Sequence, residues 1–396
     1  MRVRVGAALL LIIAAAATIN YLRPIPAVSP VAMLPSTDRV QGTAPSLPWP
    51  AHGSGAIAVA HLGMLGSSGG EQAIPAASVT KVMTALVILT DKPLKKGDDG
   101  PTITLTDADV QFYQTDLAGK QSVVKVQAGE QITELKALEG LLIPSANNLA
   151  ETLARWDGGE SDFVKRMNSR AASLHLVHTV FADTSGASAG SVSTPSDLVV
   201  LGMAAMQDEV FAQIVAMGQA ELPVAGTVFN VDYALGLDGI VGIKTGSGLS
   251  SGANFLFAAN VTVDGVTVVA YGCVMGQPTL DFAFSAAEAL INTVAGALHV
   301  RRVIARGQAL AALSFPWGAQ TDVISAVDVD LAEWPGMVLR QRLVANAIVV
   351  DHPLPPSTPV GSEHIVLGDY VLDVPLVTAD QLYPPGRFWR ITRLSF

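Results

Sequence analysis

The chain opens with an apolar, uncharged stretch. Arg2 and Arg4 precede it, and residues 5–22 carry no charged side chain. Its apolar part, Val5–Ile19, is 15 residues long. This length is typical of a secretory signal and is shorter than a membrane span of about 20 residues. We therefore predict that residues 1–23 are a signal peptide or an uncleaved signal anchor. Either form places the rest of the chain outside the cytoplasmic membrane, in the cell envelope, secreted or anchored.

A proline-rich segment follows, and apolar periodicity returns only after it. Residues 24–50 hold seven prolines and almost no periodic apolar pattern, which is typical of an extended, semi-rigid spacer. The patterned region 51–298 then alternates strand and helix signals. Its predicted elements are the strand Ala56–Met64, a turn at 66–70, the short return strand Gln72–Ile74, the helix Ser78–Thr90, the strand Ile103–Leu105, a mostly helical stretch to about Met217, and the strands Ile240–Lys244, Asn254–Val263 and Val266–Met275.

Two short sequences in this region mark element boundaries. Thr194-Pro195-Ser196-Asp197 combines a capping threonine, a proline at the first helical position and an acid in the first turn, so it predicts a helix start. Asp264-Gly265, between two strands, indicates a type I′ hairpin turn. Strands at both ends of the region with helices between them indicate an α+β domain, in which an antiparallel sheet is covered by helices and a helical subdomain is inserted.

The composition changes near residue 299. From there on arginine occurs and lysine does not, and a small β-rich domain is predicted for residues 299–396. The last residues, Arg393–Phe396, include no long amphipathic helix, so we expect no C-terminal membrane anchor. The alternating runs that indicate the strands of this domain are Val323–Val329, Val338–Val349 and Tyr370–Val377.

Charge and composition exclude several partners. The formal net charge of −10 argues against nucleic acid, because neutralising phosphates needs a basic face. The single cysteine, Cys273, lies in an apolar run, so no intrachain disulfide is possible and we expect it to pack as a small hydrophobic side chain. The seven histidines form no recognisable metal signature. We expect neither a metal nor a cofactor.

Two isolated lysines stand out before any motif is considered. Lys81 is the only Lys or Arg between residues 40 and 91, and Lys244 is the only one between residues 171 and 300. Each lies in an apolar segment, where desolvation of an ammonium group is costly and lowers its pKa. Most such lysines simply extend their amino groups to solvent, so the interpretation depends on their neighbours.

The neighbour of Lys81 is a serine on the same helix face. Ser78 precedes it by three residues, so the two side chains meet on a helix. The helix is apolar on nearly every side, which places it in a core. A desolvated, neutral lysine can take the proton of a serine hydroxyl and so turn it into a nucleophile. Ser-x-x-Lys alone is a weak motif, and the buried setting strengthens it.

Two further motifs complete a set of three. Ser145-Ala146-Asn147 lies in a loop before a predicted helix, and Lys244-Thr245-Gly246 ends a predicted strand. Alone, the first could be a helix cap and the second a strand end turning at glycine. Their separations, 67 residues from Ser78 to Ser145 and 99 from Ser145 to Lys244, leave room for a helical subdomain. Together and in this order they are the signature of penicillin-binding proteins and serine β-lactamases.

Within that group the chain resembles the low-molecular-mass, serine-type D-Ala-D-Ala carboxypeptidases. The likeness covers roughly residues 51–298, and a fainter one in the tail rests on Val374–Val377. The stretches that carry it are Ala77–Ala85, Phe181–Gly186, Ser193–Asp197 and Gly242–Gly246.

The resemblance implies a substrate, an inhibitor class and a set of residue roles. The substrate would be the peptidoglycan stem peptide, from which a terminal D-alanine is removed, and β-lactam antibiotics would be covalent inhibitors. Two backbone amides would form an oxyanion hole, which contributes about 2.7–4 kcal/mol per donor. The implied roles are Ser78 as nucleophile, Lys81 as general base, Ser145 and Lys244 as proton relay, Asn147 as the group that orients the peptide, Thr245 as the ligand of the terminal carboxylate, Gly246 as a further substrate-binding position, and the amides of Ser78 and Ser247 as oxyanion donors.

The sequence departs from the family pattern at several positions. Ala146 replaces the usual middle glycine of Ser-x-Asn, and Ser247-Gly248 follows Lys-Thr-Gly where a bulky residue and threonine are common. Residues 276–300 contain no Arg or Lys, although the family often supplies an arginine there for the substrate carboxylate. We therefore expect weak binding of small D-Ala-D-Ala peptides or a preference for another peptidoglycan bond.

Three alternatives stay open. A D,D-endopeptidase would use the same residues on a cross-link. A β-lactamase shares the motifs, but no Glu-x-x-Leu-Asn-like segment lies between Ser145 and Lys244 to activate a deacylating water. A non-catalytic penicillin-binding or scaffold protein could retain the fold without turnover, although a scaffold has no physical need for the intact catalytic set.

Overall fold

The structure is a computed structural model that describes residues 2–393, with side chains described from residue 6 onward. It divides into two compact units, one formed by Pro45–Leu298 and the other by the described parts of Met1–Ala44 and His299–Phe396. Residues 394–396 lie outside the described residues. The prediction that the last residues form no membrane anchor rests partly on them.

Ten α-helices occur within residues 2–393, and a short 3₁₀ turn at Ala77–Val79 leads into the second of them. The helices are α1 Arg2–Leu22, α2 Thr80–Asp91, α3 Asp107–Ala118, α4 Glu134–Leu142, α5 Asn147–Trp156, α6 Glu160–Ser173, α7 Pro195–Ala205, α8 Glu209–Val215, α9 Leu280–Ala297 and α10 Arg387–Thr392.

The strands of the same residues are numbered in chain order. They are β1 Val31–Ala32, β2 Thr37–Arg39, β3 Ser54–Val59, β4 Gly63–Ser67, β5 Ile74–Pro75, β6 Thr102–Thr104, β7 Gln131–Thr133, β8 Val192–Ser193, β9 Gln219–Leu222, β10 Gly226–Phe229, β11 Ile240–Gly248, β12 Gly252–Val263, β13 Val266–Gln277, β14 His299–Ile304, β15 Ala309–Ser314, β16 Gln320–Ser325, β17 Val329–Glu333, β18 Val338–Ala345, β19 Pro359–Leu367 and β20 Tyr370–Thr378.

The unit Pro45–Leu298 is built on a five-stranded antiparallel sheet in the order β11-β12-β13-β3-β4. Helices α7 and α9 pack on its strands, and α2 lies in the hydrophobic core, where all residues Thr80–Leu89 are buried. This burial follows from a helix that is apolar on nearly every side. The predicted α+β architecture, an antiparallel sheet covered by helices, is confirmed.

The structure agrees with the predicted helix start at Thr194 and the predicted turn at Asp264-Gly265. The Thr194 hydroxyl accepts the backbone N–H of Asp197 at 3.3 Å and caps α7. Asp264 and Gly265 both have positive φ, +50° and +81°, as a type I′ turn requires. Both predictions are confirmed.

The prediction of one strand over Ala56–Met64 is wrong. Residues 60–62 form a turn that divides the run into β3 and β4, and His61 adopts a φ of +64° there. The predicted return strand at Gln72–Ile74 is also different, because β5 pairs with β8 instead of β3. A continuous apolar run does not reveal where the chain reverses when both arms of the hairpin have apolar positions.

The second unit holds a seven-stranded sheet in the order β1-β15-β16-β20-β19-β18-β2. Its two edge strands, β1 and β2, lie inside the segment 24–50 that the prolines predicted to be a spacer. Proline tolerates edge positions, where one side of the strand needs no ladder bond. Strands of two or three residues are too short to produce an apolar period, which is why the sequence pattern missed them.

The end of α1 is held by the C-terminal helix of the same unit. The Arg393 guanidinium donates to the carbonyls of Asn20 at 2.8 Å, Arg23 at 2.6 Å and Pro24 at 2.9 Å. The Arg390 guanidinium stacks over the Tyr21 ring, 4.4 Å from its centroid. Within the described residues, no individual helix combines the length and apolarity of a membrane span, and α7 with α8 would do so only as a pair bent by 113°.

Candidate active site

Ser78 lies in the 3₁₀ turn that leads into α2, and this turn is fixed from two sides. The Asn254 side chain donates to the carbonyls of Pro75 at 3.0 Å and Ala76 at 3.1 Å. From the other side β11 approaches so closely that a Cβ at Gly246 would lie 3.0 Å from the Ser78 backbone nitrogen. A side chain at this position of Lys-Thr-Gly would therefore push the strand and the serine turn apart by a few tenths of an ångström, which glycine avoids.

The amino group of Lys81 lies at the centre of the site. Its Nζ is 2.9 Å from Ser78 Oγ, 2.6 Å from Asn147 Oδ1 and 2.9 Å from the carbonyl oxygen of Ser185. The side chain has no exposed surface. Three different segments of the chain therefore converge on one nitrogen.

The environment favours the uncharged form of this amine. Burial is the main cause that lowers the pKa of Lys81 far below its usual value, and the positive charge of Lys244 lowers it further. The carboxylates of Asp183 and Asp116 oppose the shift but do not reverse it. A neutral amine has a lone pair, so it can accept the proton of the adjacent Ser78 hydroxyl.

The Ser-x-Asn loop brings a second hydroxyl to the site. Ser145 has a φ of +65° and is buried, and its Oγ has no hydrogen-bond partner among the described residues. An unpaired buried hydroxyl is costly, and a ligand that hydrogen-bonds to it would remove that cost. Asn147 begins α5, and its side-chain amide donates to Gln121 Oε1 at 3.3 Å while its Oδ1 receives Lys81.

Strand β11 supplies the remaining predicted residues. Lys244 is buried, and its amino group donates to the carbonyl of Thr245 at 3.2 Å. Burial lowers the pKa of Lys244 to about 7, against an opposing attraction from Asp232. Near neutral pH this lysine therefore changes between a cation and a neutral amine.

A cavity of about 290 Å³ joins these elements. Six of the eight predicted residues line it, whereas Lys81 and Lys244 are buried behind its wall. The lining comprises Ser78, Lys120, Gln121, Ser122, Ser145, Asn147, Val231, Tyr233, Thr245, Gly246, Ser247 and Leu280.

The chain is similar in sequence to a family of known proteins. A family model described as D-alanyl-D-alanine carboxypeptidase matches residues 63–279, which is more than half of the chain. The chain belongs to the D-alanyl-D-alanine carboxypeptidase family. The matched residues contain all three motifs, from Ser78 to Gly246.

Individual relatives carry two different activities in their names. D-alanyl-D-alanine carboxypeptidase DacB2 of Mycobacterium tuberculosis is 35% identical over 192 residues, which cover 47% of this chain and 62% of the relative. A D-alanyl-D-alanine endopeptidase of Pseudomonas aeruginosa is 35% identical over 142 residues, which cover 35% of this chain and 42% of the relative. This chain thus spans less than two thirds of the length of either.

Among solved structures, the Streptomyces K15 DD-transpeptidase is similar in fold. It superposes with a TM-score of 0.56 at 26% identity, and the match covers 63% of this chain and 98% of that chain. The shared part therefore corresponds to nearly the whole of that smaller protein.

Sequence analysis of this carboxypeptidase-family chain missed several contributors to the site. Gln121 positions Asn147, Asn254 fixes the serine turn, and the carbonyl of Ser185 accepts a hydrogen bond from Lys81. A backbone carbonyl leaves no trace in residue type. The loop that presents it is organised by Asp183, whose Oδ2 accepts the Ser185 hydroxyl at 3.0 Å and the Ala187 N–H at 2.8 Å.

Gly186 in this loop is predicted to be required for the serine turn. Its φ is +81°, and a Cβ there would lie 1.8 Å from the carbonyl oxygen of Ala77, the residue before Ser78. Gly186→Ala should therefore lower stability by about 1–3 kcal/mol and slow acylation by a penicillin at least about tenfold through displacement of the turn.

The measurements are thermal unfolding and the rate of penicillin acylation. Gly218→Ala is the matched control, because a Cβ at Gly218 would meet no atom within 4 Å. Unchanged stability and an unchanged rate in Gly186→Ala would show that the loop does not constrain the turn.

Proposed function

We propose that this chain is a serine D,D-carboxypeptidase that removes the terminal D-alanine from peptidoglycan stem peptides through an acyl-enzyme. The observation that carries the proposal is the 2.9 Å approach of Ser78 Oγ to a fully buried Lys81 amine whose pKa is lowered by its surroundings. A hydroxyl beside a neutral amine is an activated nucleophile. The membership of the family supports the choice of substrate.

Acylation begins with proton transfer from Ser78 Oγ to the Nζ of Lys81. The freed oxygen attacks the carbonyl carbon of the penultimate D-alanine, and the backbone N–H groups of Ser78 and Ser247 stabilise the negative carbonyl oxygen. The C–N bond then breaks. The departing amine takes up the proton through the Ser145 hydroxyl, with Lys244 close to this relay, and the ester with Ser78 remains.

Deacylation reverses the roles of the reacting groups. Water attacks the ester carbonyl, its proton passes to Lys81, and Ser78 leaves with a proton restored to Oγ. The products are the stem peptide shortened by one residue and free D-alanine. Asn147 holds the peptide during both steps, and its Oδ1 contact keeps the lysine amine in place.

Recognition of the substrate C-terminus rests on β11. Thr245, Gly246 and Ser247 line the cavity, and the partly protonated Lys244 lies behind them. Residues 276–300 add no positive charge. Weak binding of short D-Ala-D-Ala peptides therefore stays our prediction, since the cation that β11 supplies is only partly protonated near neutral pH.

An endopeptidase that cuts cross-links between stem peptides is the second candidate. Two observations favour it: a relative bears that name, and a second cavity of about 270 Å³ shares Gln121 and Ser247 with the first. Extra room beside the nucleophile suits a branched substrate.

The proposed place of action is the cell envelope, on the outer side of the cytoplasmic membrane. The apolar residues of α1 support retention there by the N-terminal segment, because its leucine and isoleucine side chains, such as Leu10 and Ile12, are exposed. Peptidoglycan peptides and β-lactams are then both accessible from the same compartment.

Mass spectrometry of peptidoglycan digests separates the candidates. Incubation of purified, disaccharide-linked pentapeptides and cross-linked dimers with the protein should release one D-alanine per pentapeptide, while dimers stay intact. Cleavage of dimers without loss of terminal alanine would instead establish the endopeptidase. No change in either substrate, with wild-type and Ser78→Ala protein behaving alike, would contradict both.

A further inference from the structure

Lys244 is a cation buried without an ion-pair partner. Among the described residues no carboxylate lies within 4.0 Å of its amino group, which donates a hydrogen bond to a neutral carbonyl, that of Thr245. An ammonium in such a place tends to lose its proton. A neutral Lys244 would leave β11 without a positive charge, because this strand has no other Lys or Arg. A nearby group that favours its protonated form would therefore matter for carboxylate binding.

Asp232 is a buried carboxylate with an unused oxygen. It lies in the loop between β10 and β11 and is 5% exposed. Its Oδ1 accepts the Ala234 N–H at 3.0 Å, whereas its Oδ2 is buried and has no hydrogen-bond partner among the described residues. Its own backbone N–H donates to Asn230 Oδ1 at 2.8 Å. The carboxylate is therefore fixed in position while one of its oxygens is left uncompensated.

The position of Asp232 connects it to the substrate cavity without exposing it. The residues on either side, Val231 and Tyr233, both line the cavity. Asp232 itself does not, so it cannot act on a substrate by contact. Its effect must pass through a group that faces the substrate or through the electric field at that end of the cavity.

The charges of Asp232 and Lys244 act on each other. Lys244 is the opposite charge that lowers the pKa of Asp232 against burial, and Asp232 is the one that raises the pKa of Lys244 against burial. The other charged groups of the site act mainly on Lys81. Asp183 and Asp116 attract its charged form, and Lys244 repels it. In a buried, low-dielectric region such an attraction is effective beyond ion-pair distance.

We propose that Asp232 is a positioning residue that keeps Lys244 positively charged, so that β11 presents a cation to a substrate with a free C-terminal carboxylate. This inference rests on the proposed function and concerns the substrate preference of the same site. The family often supplies an arginine near residues 276–300 for the substrate carboxylate, and this chain has none there. In our proposal the buried pair of Asp232 and Lys244 supplies the positive charge instead.

The pair has a defined pH range. Burial raises the pKa of Asp232 to about 6, so below that pH the carboxylate takes up a proton and the attraction is lost. The pKa of Lys244 is about 7, so above that pH the amine loses its charge. Both groups are ionised together between these values. Without the carboxylate, Lys244 would lose its proton at a lower pH.

The test compares two acylating reagents that differ by one charge, a penicillin and its methyl ester. In Asp232→Asn the acylation rate constant for the penicillin should fall about tenfold near neutral pH, because a pKa of Lys244 that is lower by one unit means a tenfold change in its protonation. The pH range in which the penicillin reacts fast should also become narrower and move to lower pH. The rate for the ester, which offers Lys244 no carboxylate, should fall clearly less than the rate for the penicillin. Asp232→Glu, which restores the charge, should recover most of the difference between the reagents.

The control is Asp238→Asn, the same change at an exposed position of the same loop. Equal loss for both reagents in Asp232→Asn would mean that the residue is merely structural, and no loss for either would also overturn the proposal. If Asp232→Asn does not fold, the proposal is tested with Asp232→Glu and with the pH profile of the wild type. An ester rate that depends on pH as strongly as the penicillin rate around pH 6 to 7 would contradict the proposed pair. No acylation of wild-type protein by either reagent would overturn the proposed function itself.

Discussion

Ser78→Ala is expected to abolish covalent labelling by a fluorescent penicillin and to reduce peptide turnover by about 10⁴-fold or more. Ser78 Oγ is the hydroxyl placed 2.9 Å from the Lys81 amine, and β11 passes directly over its backbone. Ser145, the hydroxyl of the Ser-x-Asn loop, has no hydrogen-bond partner among the described residues. The substitution therefore removes the bond-forming atom, which is the hydroxyl in contact with the lysine base.

The labelling is measured on a gel after incubation with the fluorescent reagent. Ser173→Ala, an exposed serine on α6, should label like the wild type. Labelling of Ser78→Ala would identify another nucleophile. Labelling of neither protein would support the non-catalytic scaffold, and rapid release of hydrolysed penicillin by the wild type would favour a β-lactamase.

Lys81→Met is expected to slow acylation by about 10²–10⁴-fold. Methionine keeps the length and apolar stem of lysine but offers no proton acceptor of comparable basicity. Lys81→Arg should be no better, because a guanidinium stays protonated and cannot accept the serine proton. The loss of the lysine also leaves Asn147 Oδ1 and the Ser185 carbonyl without their buried donor.

Stopped-flow acylation rates measure this effect, and thermal unfolding separates it from loss of the fold. Lys165→Met is the matched control, since Lys165 is exposed on α6 and forms a salt bridge with the exposed Asp162. A wild-type rate in Lys81→Arg would contradict the role of a neutral amine as base.

The sequence was most informative where chemistry demands a particular residue at a particular spacing. Ser78 and Lys81 share a helix face because they are three residues apart, and the apolar surroundings of that helix predicted its burial. The Asp264-Gly265 turn was also readable, because a type I′ turn needs positive φ at both positions and few residue types adopt it.

Contacts between distant segments were not readable from local pattern. The approach of the Ser185 carbonyl to Lys81 joins residues 104 positions apart through a backbone atom. Asp232 gives no periodic signal, and the role that we propose for it depends on the fold, which buries its carboxylate where its charge raises the pKa of Lys244. The edge strands β1 and β2 are short and depend on pairing with β15 and β18, which lie hundreds of residues away. Tertiary packing, not local preference, fixes all of these.

The pH dependence of acylation is the most direct test of an uncharged Lys81. With a penicillin methyl ester, which lacks the carboxylate that Lys244 would attract, the rate should rise with pH and level off well below the ordinary lysine pKa of about 10.4, because burial and the charge of Lys244 lower the pKa of Lys81. Lys81→Met should lack this rise. A wild-type rate that keeps climbing until about pH 10 would mean that the amine is charged at neutral pH and would contradict the mechanism.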